Sequence, residues 1–303
     1  MTPKIALKVD VDTLKGYLEG VPNLLGLLGR FGIQASFFFT FGPDNSGKAV
    51  RRIFRKGFLK KMARTNAPGT YGVKTMLYGT LLPAPIIVPQ DTGIFRRAIS
   101  EGHECGIHAW DHVEWQDRLD VMDEGRMRAD FGKAVEMYTN LAGRPPGSCA
   151  APGWKVTPAS LAMQDEYDFT YCSDTRGTCP FLPVMGGRSF RTPQVPSTLP
   201  TMDEIYGRDG IGDDQINNFL LKCLTPGLNV HTIHAEMEGR KKLVVFESFL
   251  TECLNAGYSF VMLEEEVKEL AKSGLPACEI RNKPIPGRAG SVAFQHLEPQ
   301  AFP

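Results

Sequence analysis

The sequence contains no C-x-x-C pair, although seven cysteines are scattered through its 303 residues. An odd number of unpaired cysteines indicates neither a disulfide framework nor a zinc ribbon, so reduced thiols in a cytosolic compartment are expected. The formal net charge is zero, which gives the whole molecule no bias toward nucleic acid. Charged residues make up 22% and hydrophobic residues 42% of the chain, as is typical of a globular protein.

Long apolar runs are also missing. The longest lies around Leu81–Val88, contains two prolines, and is far shorter than the ~20 residues that a membrane-spanning helix needs. No apolar signal-peptide core precedes the strand-like segment Ile5–Val9. We therefore expect neither a spanning helix nor an export signal.

Acidic residues are absent between Asp44 and Asp91. The basic residues of this stretch alternate with apolar ones at roughly helical spacing, which is typical of a segment that lies on an anionic bilayer. A solvated basic helix and an RNA-binding patch are the alternatives, and the rest of the chain is not basic. We favour an insertion at about residues 45–90 that docks on a membrane surface. Its basic residues are Lys48, Arg51, Arg52, Arg55, Lys56, Lys60, Lys61, Arg64 and Lys74.

Elsewhere, short apolar runs alternate with longer amphipathic ones, which predicts an α/β fold with a parallel sheet or barrel. No linker divides the chain, so residues 1–274 are expected to form one domain, followed by an irregular extension over residues 275–303. Strands are predicted at Ile5–Val9, Gln34–Phe41, Phe169–Ser173, Leu228–Ile233 and Ser259–Leu263. Helices are predicted at Val21–Phe31, Thr92–Glu101, Asp123–Leu141, Lys241–Ala256 and Glu264–Lys272.

Five of the six histidines fall into two tight groups. His108 and His112 are four positions apart and can face one point if the backbone turns helically between them. Such a pair alone is weak evidence, since similar spacings arise by chance on helix faces. Asp10 and Asp12, which end the first predicted strand, add carboxylates, although aspartates there could also cap a loop. Two histidines and one carboxylate form a metal site that leaves positions open for water and substrate.

The second histidine group, His231 and His234, follows a later strand. Residues three apart on a strand point to opposite faces, so only one of the two can reach a common site. We interpret His231 as structural, and likewise His103. Ligand-type residues at three separate strand ends are the pattern that an active site in a barrel of parallel strands requires.

These residues together resemble the NodB-homology polysaccharide deacetylases, carbohydrate esterase family 4, from roughly Ile5 to Lys272. Asp10-Val11-Asp12 is similar to the family's first motif with one residue inserted, His108 and His112 to its second, and Thr232-Ile233-His234 to its last. The resemblance implies a distorted (β/α) barrel that hydrolyses a linear amide. It implies Asp12, His108 and His112 as ligands of a divalent metal (zinc, manganese, cobalt or nickel), Asp10 as general base, and His234 as general acid or stabiliser of the tetrahedral intermediate.

Further stretches resemble one deformylase subfamily, which acts on a formamido-arabinose carried on undecaprenyl phosphate in the lipid A pathway. This resemblance implies a lipid-linked substrate, formate as product, and a peripheral position on the cytoplasmic face of the bacterial inner membrane. The stretches are Gly32–Phe39, Gly42–Asn45, Ser173–Cys179, Thr192–Gln194 and Ile233–Gly239.

The chain departs from the family pattern in one informative place. The family's third motif carries an arginine that pairs with the catalytic aspartate, whereas Ser148–Trp154 contains none. Asp10 must therefore find another partner or work without one, and Arg176 and Arg191 are candidates by residue type alone.

Three other functions remain open at this point. They are an exported N-deacetylase of peptidoglycan or another N-acetyl polysaccharide, a lipid-sugar-binding protein on a degenerate deacetylase fold, and a cyclic-amide hydrolase. An exported N-deacetylase predicts an export signal. A sugar-binding protein on a degenerate fold predicts that some of the aspartates and histidines are missing. A cyclic-amide hydrolase leaves the basic insertion unexplained.

Overall fold

A seven-stranded parallel sheet forms the centre of the computed structural model, which describes residues 3–54 and 72–297. Its strands, numbered along the chain, are β1 Lys4–Val11, β2 Ser36–Thr40, β3 Glu104–Ala109, β4 Ser148–Cys149, β5 Tyr171–Cys172, β8 Leu228–His234 and β9 Ser259–Val261. Their order in the sheet is β5-β4-β3-β2-β1-β8, and β9 pairs with the start of β1. The predicted α/β fold is confirmed as a half-barrel of parallel strands.

Several helices cover the outer face of this sheet, whereas helix Leu263–Ala271 packs Leu263 and Val267 against inner-face residues such as Ala6 and Phe38. Aromatic side chains seal the contact, with the ring of Phe95 edge-on to Phe39 at 5.2 Å, to Phe41 at 5.5 Å and to Tyr138 at 5.4 Å. The helices are α1 Val21–Phe31, α2 Thr92–Ser100, α3 His112–Arg118, α4 Glu124–Ala142, α5 Pro158–Gln164, α6 Met202–Ile205, α7 Asp213–Cys223, α8 Leu243–Asn255 and α9 Leu263–Ala271. All five predicted helices are present to within two residues at each end.

Strand β1 shows how the two faces of the sheet differ. Ile5, Leu7 and Val9 belong to the large hydrophobic core under the helices. Successive side chains on a strand alternate between faces, so Lys8 and Asp10 lie on the opposite, inner face. The inner face of the half-barrel is therefore where polar chemistry can be built.

The C-terminal region differs from its expected irregular form. Residues Ala277–Pro284 and Ser291–His296 form β10 and β11, an antiparallel hairpin. The hairpin joins β6 (Leu182–Met185) and β7 (Arg188–Ser189) in a four-stranded sheet. Prolines and glycines interrupt the alternation of apolar and polar residues in its sequence. The hairpin packs its apolar face on a small separate core that includes Phe181, Phe190, Cys278 and Ile280.

The described part of the insertion contains a 3-10 helix at Ser46–Phe54 and short 3-10 turns at Thr75–Leu77 and Val88–Gln90. Across residues 3–54 and 72–297, no helix is both long and apolar enough to cross a bilayer. Five of the basic residues assigned to the insertion lie outside the described residues: Arg55, Lys56, Lys60, Lys61 and Arg64.

Candidate active site

Asp12, His108 and His112 meet at the carboxyl ends of β1 and β3. The Nε2 atom of His108 lies 3.2 Å from Asp12 Oδ1, and the Nε2 atom of His112 lies 3.4 Å from Asp12 Oδ2. One donor atom from each of the three residues falls within 4.8 Å of the others. The structure thus brings together the three residues predicted as metal ligands.

The two histidines reach this point from different elements. His108 lies within β3, whereas His112 is the first residue of α3. Asp111 caps that helix, since its Oδ1 accepts a hydrogen bond from the Glu114 amide at 3.0 Å. The pair therefore faces one point through a strand-to-helix turn, and not through a continuous helix.

The chemistry of these donors fits a divalent cation. His108 Nδ1 lies 2.7 Å from the Ala150 carbonyl oxygen, which fixes the proton on Nδ1 and leaves the Nε2 lone pair facing Asp12. Burial lowers the pKa of His112 to about 3, so its imidazole is a neutral ligand. Burial favours a higher pKa for Asp12, but the facing His112 and His108 hold the pKa of that carboxyl well below its usual range. Asp12 Oδ1 is buried and receives no hydrogen bond.

A second layer of buried acids holds this geometry in place. Glu236 Oε1 accepts hydrogen bonds from the Asp12 amide at 3.0 Å and from the Thr13 amide and hydroxyl at 2.7 and 2.8 Å. Gly16 permits this approach, because a Cβ atom there would lie 2.1 Å from Glu236 Oε1. The Glu236 carboxyl therefore fixes the backbone that presents the Asp12 ligand.

Asp174 supports the histidine side in the same manner. Its Oδ1 accepts a hydrogen bond of 2.6 Å from the Ala151 amide, and its Oδ2 accepts one of 2.8 Å from Gln164. The neighbouring Ala150 carbonyl is the group that orients His108. Supporting residues of this kind tune both ligand orientation and metal affinity.

Asp10 and His234 lie side by side on the inner face, since Asp10 of β1 is in register with His234 of β8. Burial acts to lower the pKa of His234, but the carboxylates of Asp203, Asp12 and Glu238 outweigh it and raise the pKa to about 9. His234 is therefore protonated at neutral pH and can donate a proton. Asp10 Oδ1 is buried and receives no hydrogen bond, so it is free to accept one.

His231 and His103 lie away from this site, as the sequence predicts. His231 points to the outer face, with its ring 5.2 Å from that of Phe249, and burial lowers its pKa to about 3. His103 Nδ1 accepts a hydrogen bond from the Ala35 amide at 3.1 Å. Both have the contacts of buried structural residues.

Sequence reasoning missed Lys8, Asp203 and Glu236. Lys8 Nζ lies 3.7 Å from Asp10 Oδ2, whereas the two arginines considered as partners of Asp10 pair elsewhere. Arg176 binds Glu204 at 2.9 Å, and Arg191 binds the backbone carbonyl of Asp165 at 2.9 Å. The pattern Lys-x-Asp-x-Asp on one strand was the available signal, because alternate residues share a face.

Comparisons with known proteins agree with this geometry. A family model described as "Polysaccharide deacetylase" matches residues 3–172. A protein of Shewanella sediminis (strain HAW-EB3), named "Probable 4-deoxy-4-formamido-L-arabinose-phosphoundecaprenol deformylase ArnD", is 40% identical over 96% of this chain and 94% of its own length. A Wigglesworthia glossinidia brevipalpis protein of the same name is 35% identical over 91% of this chain and 96% of its own. Among solved structures, a probable polysaccharide deacetylase of Pseudomonas aeruginosa PAO1 shares the fold, with a TM-score of 0.61 at 15% identity over 90% of this chain and 93% of that chain.

The family model and the two relatives, together with the half-barrel fold, identify a hydrolase of the deacetylase and deformylase class, which cleaves a linear amide C–N bond. The chain belongs to the polysaccharide deacetylase family, because the family model matches more than half of its 303 residues.

The contacts of Glu236 predict an effect on metal affinity. Glu236→Ala should weaken binding of Zn²⁺ or Co²⁺ by about 10- to 100-fold, because the Asp12 backbone loses its anchor. Titration of metal-free protein with the ion measures this, and Glu247→Ala is the control, since Glu247 is half-buried on α8 and pairs with Arg30. Equal metal affinities for Glu236→Ala and the control would show that Glu236 does not support metal binding.

The carboxylates around His234 predict a pH dependence. A general acid with a pKa of about 9 is active below that pH and loses activity as the pH rises through it. Asp203→Asn removes the carboxylate that contributes most to raising the pKa of His234, so the alkaline limb of the pH profile of kcat should move to lower pH. The pH profile of kcat and an NMR titration of His234 in metal-free protein measure this, with exposed Glu265→Gln as the control. An alkaline limb at the same pH in Asp203→Asn would show that Asp203 does not influence proton donation by His234.

Proposed function

We propose that the protein is a metal-dependent deformylase that acts on 4-deoxy-4-formamido-L-arabinose-phosphoundecaprenol. The observation that carries this proposal is 40% identity over 96% of the chain to the Shewanella relative of that name. The complete set of candidate ligands, base and acid on one inner face supports it. The products are formate and the free amino sugar on its lipid carrier, which serves lipid A modification and resistance to cationic antimicrobial peptides such as polymyxin.

Asp12, His108 and His112 are the proposed metal ligands. Two imidazole nitrogens and a carboxylate suit zinc, manganese, cobalt or nickel. A divalent ion at such a site lowers the pKa of water and polarises the formyl oxygen.

Asp10 and His234 perform the proton transfers in this proposal. Asp10 accepts a proton from the attacking water while the water oxygen forms a bond to the formyl carbon. His234 donates a proton to the sugar nitrogen as the C–N bond breaks. One water is consumed, the formyl group leaves as formate, and the nitrogen remains on the sugar as an amine.

We further propose a peripheral position on the cytoplasmic face of the bacterial inner membrane, where a lipid-linked sugar is accessible. The described edges of the insertion support this, since Leu81 is 80% exposed, Val73 67% and Val50 55%. Exposed apolar side chains beside a segment without acidic residues suit an anionic lipid surface.

Contacts between the insertion and the site support a shared role. Arg52 Nε donates to both carboxylate oxygens of Asp117 in α3, at 2.9 and 3.0 Å. Asn45 Nδ2 donates to Asp111 Oδ2 at 2.6 Å, on the residue that caps the same helix. Because α3 begins with His112, the proposed docking segment contacts the helix that carries a proposed ligand.

The proposed reaction predicts metal-dependent formate release. Purified protein should release formate from the formamido-arabinose phospholipid, lose activity with a chelator, and regain it when a divalent metal is restored. Asp12→Ala and His108→Ala should lose bound metal and activity together. The measurements are formate by enzyme-coupled assay and metal content by mass spectrometry.

Acetate release from N-acetyl oligosaccharides, without formate release from the lipid-linked sugar, would instead identify a polysaccharide N-deacetylase. Unchanged metal content in Asp12→Ala and His108→Ala would overturn the ligand assignment.

The proposed docking predicts binding to anionic vesicles. Wild-type protein should bind phosphatidylglycerol vesicles more tightly than phosphatidylcholine vesicles, and less tightly as salt increases. Lys60→Gln/Lys61→Gln should weaken binding by about 2 kcal/mol, or roughly thirtyfold, since each surface cation contributes about 1 kcal/mol. Leu81→Ser should also weaken it, and Val244→Ser, at an exposed site on α8, serves as control. Binding that ignores salt and all of these changes would exclude docking through the insertion.

A further inference from the structure

Lys8 is a lysine without solvent exposure, located in the middle of β1. Lysine is almost never fully buried unless it is paired, because removing an ammonium from water is costly. Its Nζ lies 3.7 Å from Asp10 Oδ2 and donates a hydrogen bond of 2.8 Å to the Ser173 carbonyl. The first of these contacts connects Lys8 to the proposed general base.

The surroundings of Lys8 partly oppose the effect of burial on its ammonium group. Burial lowers its pKa, while the carboxylates of Asp10 and Asp174 act to raise it. The rings of Phe38 and Trp154 lie 5.8 and 5.5 Å from Nζ, within the range of cation–π attraction. The site therefore surrounds one cation with two acids and two aromatic rings.

Neither of the two arginines considered as partners of Asp10 lies beside it. In residues 3–54 and 72–297, the ion pair at Asp10 is the one with Lys8. Arg176 forms a two-oxygen contact with Glu204 and stacks on Trp154, 4.8 Å from the ring centre. Asp10 Oδ2 thus faces Lys8 Nζ, while Asp10 Oδ1 is buried and receives no hydrogen bond.

We propose that Lys8 is the positioning residue for Asp10. Its Nζ faces Oδ2 and holds the carboxylate in place, so that Oδ1 is presented to the attacking water. The contact is electrostatic, because 3.7 Å exceeds a hydrogen-bond distance. The inference rests on the proposed role of Asp10 and assigns the partner that the turn Ser148–Trp154, which has no arginine, does not supply.

The test compares Lys8→Met, which keeps the length and loses the charge, with Lys8→Arg, which keeps the charge. Lys8→Met should bind metal normally and show a nearly unchanged KM, but should lose at least tenfold in kcat. Lys8→Arg should restore most of that loss. Lys4→Met is the matched control on the same strand, since Lys4 pairs with Glu266 away from the site, and it should leave kcat unchanged.

Two results overturn the proposal. One is normal kcat in Lys8→Met, and the other is an equal loss in folded, metal-loaded Lys8→Met and Lys8→Arg. Turnover is measured with whichever amide the wild type hydrolyses, so that failure of the deformylase assignment is recorded separately by the product that the wild type releases.

A double-variant cycle covers the case in which Lys8→Met does not fold or the wild type has no measurable turnover. Unfolding by urea is compared for Lys8→Met, Asp10→Asn and the double variant. Removing both charges should destabilise the fold less than the sum of the single changes, and should recover folded protein if Lys8→Met alone is unfolded. A strictly additive double variant, or one as unfolded as Lys8→Met, would show that Lys8 does not act through Asp10.

Discussion

The parallel register of β1 is the constraint on which the rest of the site depends. Asp10 pairs with His234 in β8, while Ile5, Leu7 and Val9 of the same strand are buried under the helices. Because strand side chains alternate with a period of two, a shift of one residue would turn the polar face into the core. The apolar packing of the outer face therefore fixes the positions of the acids on the inner face.

A concentration of buried carboxyl groups follows from this arrangement. Glu236 Oε1 and Asp174 Oδ1 accept hydrogen bonds from backbone amides, and Asp10 faces Lys8. Burial raises the pKa of Glu238 to about 7, and its Oε2 accepts the His234 amide. Asp12 retains an oxygen without a hydrogen bond, between two imidazoles. The electrostatic balance of the site thus favours a cation beside Asp12.

Much of the fold could be read from the chain. The five helices that periodicity predicted are present to within two residues at each end, because each buries an apolar stripe. Periodicity missed the hairpin Ala277–Pro284 and Ser291–His296, whose order comes from packing against β6. It also missed helix Asp213–Cys223, although Ile216, Phe219, Leu220 and Cys223 have helical spacing.

The sequence by itself determined the candidate side chains for metal binding and proton transfer, because a parallel sheet brings the carboxyl ends of its strands together. These candidates, at or just beyond three strand ends, are Asp10, Asp12, His108, His112 and His234. Only the tertiary structure decided what supports them. Lys8 and Glu236 look like ordinary charged residues in the chain, and their partners are distant or depend on strand register. Long-range contacts set burial, and burial changes the charge and the role of an ionisable group.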